Sequence, residues 1–265
     1  MTTYICVTCG TQFAETDEPP PACPICEDPR QYVPESGQAW TTPPELAASH
    51  RSEIRDEGGL TGLGMEPGFA IGQRALLVPH GARRLMWDCI PLLDEAGAAE
   101  VERGGGLSGI AISHPHYYSG MVEWARRFDC PVRLHADDAE WIMRPDPAIE
   151  LWTGETRELD GGATLLRLGG HYAGGTVLHH GDVLLSGDIV MVIPDRRYVS
   201  FMWSYPNLIP LPASEVERIA AALEPWRFER IVGAWWDRVV PRDGNEVVRR
   251  SAERYVRALG SSGAG

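Results

Sequence analysis

Several side chains able to hold a metal stand just past apolar runs. Ser113-His114-Pro115-His116 follows the run 107–112, which three glycines at 104–106 precede. A short apolar run so bounded reads as a buried strand ending in a loop. Two histidines at i and i+2 of an extended chain point to the same side, so one cation can meet both imidazoles. Alone, an H-x-H pair is a weak signal. Here Gly169-Gly170-His171 follows the strand-like stretch 164–168, and Ser186-Gly187-Asp188 follows 182–185. Each sets a hard or borderline ligand past a strand end, where loops on a rigid sheet carry chemistry.

A second set is sulfur, Cys6-x-x-Cys9 and Cys23-x-x-Cys26. Four thiolates on two tight turns can close a tetrahedron around zinc, and so small a segment needs such a staple to fold. Two C-x-x-C pairs at this spacing are a strong signal and suit a reducing compartment better than disulfides do. Cys89 and Cys130 stand in apolar surroundings and read as small core residues.

In order, H-x-H at 114–116, G-G-H-x-x-G-x-T-x-x-H at 169–179 and L-x-S-G-D at 184–188 resemble the metallo-β-lactamase fold superfamily, including its glyoxalase II type, over about residues 69–259. The resemblance implies an α/β chain folded as a four-layer α/β/β/α sandwich. It implies His114, His116, His171 and Asp188 as ligands of one metal, zinc or iron, with Asp188 also orienting the attacking water. The family's first motif normally reads H-x-H-x-D-H. This chain has Tyr118 and Ser119 in the last two places, and Trp235 where a late histidine is expected. The first metal position is kept and the second is lost, with Tyr118 and Trp235 expected to fill its space. Asp88 matches a strand-end aspartate near the family's metal, where its duty is to hold a ligand's ring. The cysteine pairs resemble zinc ribbons and rubredoxin-like knuckles. Their interval is shorter than rubredoxin's and Glu27 replaces the expected glycine, which favours structural zinc over redox iron.

The elements that must position these groups follow from pattern. Residues 1–34 form the ribbon, 35–66 a Pro- and Gly-rich linker with one helix over 44–55 and an exposed His50, and 67–265 the main domain. The main domain opens with strands at 74–78 and 84–88, joined by a turn at His80. Helical spacing marks 120–128, a strand spans 131–135, and a helix starts at Asp137. His135 ends its strand near the same sheet edge. It reads as a structural histidine, or else as a group behind a ligand. Glycines break 151–188 into strands. The aromatic run 198–210, with Tyr205, either walls a substrate pocket or makes a dimer contact. A helix over 213–223, a strand over 230–234 and a helix over 245–259 end the chain.

Composition bounds the rest. With 265 residues, 43% hydrophobic and 23% charged, the chain is an ordinary globular protein with room for a large core. A formal charge of −13 repels phosphate backbones, so no nucleic-acid partner is expected. No run is long enough for a membrane span and the start lacks a signal peptide's regions, so a cytoplasmic location is expected. Three functions compete. The first is hydrolysis of a small ester, thioester or lactone by a metal-bound hydroxide, whose parent water has its pKa lowered towards about 7. The second is a mononuclear non-haem iron dioxygenase of the persulfide dioxygenase type, using His114, His171 and Asp188. The third is a catalytically degenerate protein that uses its ribbon and aromatic run for protein contacts.

Overall fold

The computed structural model describes residues 1–260; the last five residues of the expected main domain, 261–265, lie outside them. Helix α1 (Pro43–Ser49) leads into a seven-stranded sheet of β1 (Arg51–Asp56), β2 (Thr61–Glu66), β3 (Ala75–His80), β4 (Arg83–Trp87), β5 (Leu107–Ala111), β6 (Val132–His135) and β7 (Ile149–Trp152), in that spatial order. The first four strands pair antiparallel and β4 to β7 run parallel. Parallel neighbours need crossovers, which α2 (Glu95–Arg103) and α3 (Met121–Phe128) provide. A six-stranded sheet follows, ordered β8 (Thr156–Leu159), β9 (Ala163–Arg167), β10 (Thr176–His180), β11 (Val183–Gly187), β12 (Arg230–Gly233) and β13 (Val239–Val240). Only β11 and β12 are parallel there, with α4 (Ala213–Leu223) between them in the chain and α5 (Gly244–Gly260) after β13.

Alternation along the strands sorts the apolar residues into three layers. Leu76, Val78, Leu85, Trp87 and Ala111 of the first sheet meet Leu165, Leu178, Leu185 and Val232 of the second. Their neighbours Leu77, Met86 and Ile110 face the other way and pack with Val101 of α2 and Trp124 of α3. Leu166, Val177, Leu184 and Ile231 likewise pack with Ile219 of α4 and Val247 of α5. Three apolar layers between four sets of elements make the α/β/β/α sandwich. No helix among the described residues is long and apolar enough to cross a membrane.

The stretch expected to be a linker is mostly structure. Its helix ends at Ser49 rather than 55, after a capping box between Thr42 and Glu45. Residues 51–66 form the hairpin β1–β2 at the sheet edge. Gly62 and Gly64 look like chain breakers, but a Cβ there would lie 2.5 and 2.6 Å from the Trp236 ring. These glycines let an indole lie across a strand. Trp40–Thr41 pairs with Ile5–Cys6, so the ribbon's sheet is closed by residues beyond 34. The helix expected from Asp137 is a 3-10 segment, Ala136–Trp141.

Candidate metal centres

The loops after β5, β9 and β11 meet at one edge of the sandwich, where Thr176 N donates to Ser113 O at 2.8 Å. His114 keeps an extended backbone, while His116 sits in a 3-10 turn, Pro115–Tyr117. The two imidazoles therefore converge through a turn, not through strand alternation. Pro115 suits this, since its fixed φ fits the first position of a helical turn.

Each imidazole has one nitrogen tied and one turned inward. His114 Nδ1 lies 3.0 Å from Ser113 Oγ, His116 Nε2 lies 3.1 Å from the Tyr172 hydroxyl, and His171 Nδ1 lies 2.7 Å from Trp203 O. A carbonyl only accepts, so His171 Nδ1 carries the hydrogen and Nε2 the lone pair. Inside, His116 Nδ1 is 3.2 Å from His171 Nε2, and His114 Nε2 is 3.4 Å from Asp188 Oδ1. The four residues present ligand atoms within 4.8 Å of one another. Bonds of about 2.0–2.1 Å in a tetrahedron give ligand edges of about 3.3 Å, the spacing of the two close pairs.

Electrostatics supports the same placement. His114 Nε2 and Asp188 Oδ1 are buried without a hydrogen-bond partner, which costs about 1–3 kcal/mol for each such group. Burial pushes His114 and His116 well below, and Asp188 well above, their ordinary pKa values; it pushes His171 down to about 4. Neutral imidazoles are what a cation requires, and a cation reverses the penalty on the carboxylate. The donor set therefore fits one metal ion.

The residues expected around this set divide. Asp88 is buried, and burial raises its carboxyl to about 7. It accepts from Ser113 N at 2.8 Å and also meets the Ser113 hydroxyl, which lies 3.0 Å from His114 Nδ1, so it reaches the His114 ring through Ser113 and not directly. Tyr118 packs into the layer of Val101 and Trp124 on the outer face of the first sheet, and Ser119 Oγ donates to Tyr117 O at 3.5 Å. The hydroxyl that reaches the Asp188 carboxylate is that of Tyr117, 3.4 Å from Oδ2. The 3-10 turn thus brings Tyr117, of which nothing was expected, to Asp188 in place of Tyr118. Trp235 donates its indole N–H to Ile71 O at 2.8 Å. His135 is structural: Nδ1 accepts from Asp137 N and Nε2 lies 3.1 Å from Gly154 O. Tyr205 lies beside the centre, its hydroxyl donating to Asp188 O and its ring 5.6 Å from that of His171.

Tyr117, Tyr172, Ser113 and the Trp203 carbonyl are functional positions that sequence reasoning missed. Ser113, Tyr117 and Tyr172 flank the motif histidines, and that adjacency is the signal that could have found them. A further residue, Arg30, carries no such signal: its Nη1 lies 3.2 Å from His171 O.

The four ribbon cysteines form the second cluster, buried and unbridged. Sulfur separations of 3.5 Å (Cys6 to Cys26) and 3.7 Å (Cys9 to Cys23) match the edge of about 3.8 Å that Zn–S bonds of about 2.3 Å would give. Ribbon and main domain touch directly, with Ala14 N donating to Met143 O and Arg144 Nη1 to Gln12 Oε1.

No protein-family model matches the chain. It is 47% identical over 270 residues to the uncharacterized protein YmaE of Bacillus subtilis (strain 168), with 98% of each chain covered. Among solved structures it is similar to the metallo-β-lactamase DIM-1, with a TM-score of 0.60 at 11% identity over 79% of this chain and 98% of that one. It is similar also to the metallo-β-lactamase FIM-1 from Pseudomonas aeruginosa in its mono-zinc form, with a TM-score of 0.57 at 14% identity over 77% and 96%. At such identities the likeness shows the fold alone. The chain belongs to the family of Bacillus subtilis YmaE, and the fold of that family is the metallo-β-lactamase sandwich.

Proposed function

We propose that the protein is a metal-dependent hydrolase of a small ester, thioester or lactone, working with a single cation held by His114, His116, His171 and Asp188. The observation that carries this is the pair of buried atoms without partners, His114 Nε2 and Asp188 Oδ1, facing each other at 3.4 Å among inward-turned imidazole nitrogens. A bound divalent cation supplies Lewis acidity, polarising a carbonyl and bringing the pKa of water towards about 7. The chain's own residues do the rest. Trp203 O holds His171 in the tautomer with its lone pair inward, and the Ser113 and Tyr172 hydroxyls can accept from the outer nitrogens of His114 and His116 and so orient those rings. Asp188 turns Oδ1 to the centre, while Oδ2 takes the Tyr117 hydroxyl. That phenol occupies the oxygen a second cation would need, which supports one ion rather than two.

The test is elemental analysis of the full-length protein beside His171→Ala and Asp188→Ala variants, with hydrolysis of an ester, thioester and lactone panel. One ion beyond the ribbon's, lost together with hydrolysis in both variants, is the expected result. Two ions within about 4 Å by anomalous diffraction, or no ion beyond the ribbon's, would overturn it. Iron with oxygen consumption and no hydrolysis would point to the oxygenase.

A further inference from the structure

No ligand side chain of the main centre is more than 4% exposed, yet a hydrolase must admit its substrate. Part of what covers the centre comes from the ribbon. Asp28 N donates to Pro24 O, closing the single helical turn that carries Cys26. The Asp28 carboxylate then receives Arg30 N at 2.9 Å, Nε at 2.6 Å and Nη2 at 2.8 Å. So held, the guanidinium lies 3.8 Å from the centroid of the Tyr172 ring, whose hydroxyl meets His116, and Nη1 meets His171 O at 3.2 Å. The other side of this arm is fastened to the hairpin of Met202–Ser204 and Ile209–Pro210. Ser204 Oγ donates to Arg30 O at 3.0 Å, and Asn207 Nδ2 to Pro29 O at 2.9 Å and Gln31 O at 3.0 Å. The same hairpin supplies the Trp203 carbonyl that orients His171.

We propose that the arm of residues 28–31 is a strap closing the His–Asp centre, and that the cysteine knuckle is its latch. With its metal in place, the knuckle fixes Asp28, Asp28 aims Arg30, and the strap is seated. Without it, the turn that positions Asp28 loosens and the centre opens. Arg30 is a positioning residue, acting on His171 and His116 through a carbonyl and a tyrosine ring. The contacts suit a part that lifts. They are hydrogen bonds and one guanidinium set among the rings of Tyr172, Trp141 and Trp203, with no aliphatic side chain anchoring the arm and Pro29 exposed. Segments held mainly by polar contacts open at lower free energy than the core. What the open centre does rests on the hydrolase proposal; the strap itself does not.

The test uses full-length protein loaded with cobalt(II), whose thiolate-bound form absorbs strongly in the near ultraviolet and so separates ribbon from main centre. Transfer of main-centre cobalt to a chelator is timed in wild type, in Ser204→Ala/Asn207→Ala, in Asn207→Ala alone and in Cys23→Ser. The double variant cuts the three bonds to the arm together with Asn207 N to Ser204 Oγ inside the hairpin, and spares the knuckle. Asn207→Ala alone keeps the hairpin bond and must release faster than wild type if the strap is to stand. Loss of three hydrogen bonds should speed release at least about tenfold in the double variant, with ribbon cobalt retained. Cys23→Ser should do the same. Wild-type rates in the double variant would overturn the strap, and wild-type rates in Cys23→Ser alone would overturn the latch. If wild type holds ribbon cobalt only, the hydrolase proposal fails, and the strap is decided by diethyl pyrocarbonate labelling of His116 and His171 against His179. Faster labelling in the double variant supports the strap, and equal labelling ends it.

Discussion

Replacing Tyr172 with phenylalanine removes one oxygen and tests how the main centre is built. The ring stays, beneath Arg30 at 3.8 Å and against Trp141 at 5.7 Å, so packing is preserved. What goes is the partner of His116 Nε2, at 3.1 Å. With a cation bound, His116 gives the lone pair of Nδ1, so Nε2 carries the hydrogen and donates to the tyrosine oxygen. In the variant that N–H is buried with no acceptor, at a cost of about 1–3 kcal/mol. Every 1.4 kcal/mol is tenfold in affinity, so the main-centre Kd should rise about 5- to 140-fold. The assay is competition with a chromogenic chelator at pH 7, with the ribbon loaded beforehand and thermal denaturation confirming the fold. A Kd within twofold of wild type would show that Tyr172 does not set the tautomer of His116.

Three further outcomes follow, two from the centre and one from a buried ion pair apart from it. Tyr118→Phe should leave metal stoichiometry and Kd unchanged, because its ring is core, whereas Tyr117→Phe should lower hydrolysis and still hold one ion. Freeing Asp188 Oδ2 adds no further His, Cys or carboxylate to the four at the centre among the described residues. Both variants are read by elemental analysis and turnover. In metal-free protein, burial holds His171 at about 4, below the usual value near 6.5. The folded state then binds fewer protons, and stability from this residue, complete above about pH 6.5, falls by about 3 kcal/mol as pH drops to about 4. Asp88, raised to about 7, works in the opposite sense and costs stability as pH rises through the range up to that value. Denaturation midpoints of His171→Asn and Asp88→Asn against wild type across pH separate the two. Arg74 and Glu57 form a buried ion pair at 2.7 Å with side chains 0% and 6% exposed, and Arg74 Nη1 also reaches Gly233 O in the second sheet. Glu57→Gln should lower unfolding free energy by about 3 kcal/mol in a chemical denaturation series.

What could be read in the sequence depended on whether its cause was local. Strands such as Ala163–Arg167 and Val183–Gly187 announce themselves, because their apolar residues are bounded by glycines in the same stretch. The clustering of His114, His116, His171 and Asp188 was legible for the same reason, each motif sitting just past its strand. Residues 51–66 were not, because Gly62 and Gly64 answer to Trp236, some 170 residues further along the chain. Tyr117 was missed because the extended spacing assumed for the histidines gives way to a 3-10 turn, which changes which neighbour faces Asp188. Arg30 meets His171 across 141 positions, and nothing near either residue points to the other.

The arm that meets Ser204 also imposes an order of events during synthesis. Arg30 and Ser204 are 174 positions apart, and a chain is made at about 5–20 residues per second. The four thiols therefore leave the ribosome roughly 10 to 35 seconds before the hairpin that receives the arm exists. Throughout that interval His171 and Asp188 are unmade or newly made, while all four sulfur ligands are already in place. The cysteine cluster is thus first in line for any cation within reach of the nascent chain. A soft thiolate set filled early would leave the nitrogen and oxygen donors to select their own ion later, so timing would help to sort cations between the two clusters on one polypeptide.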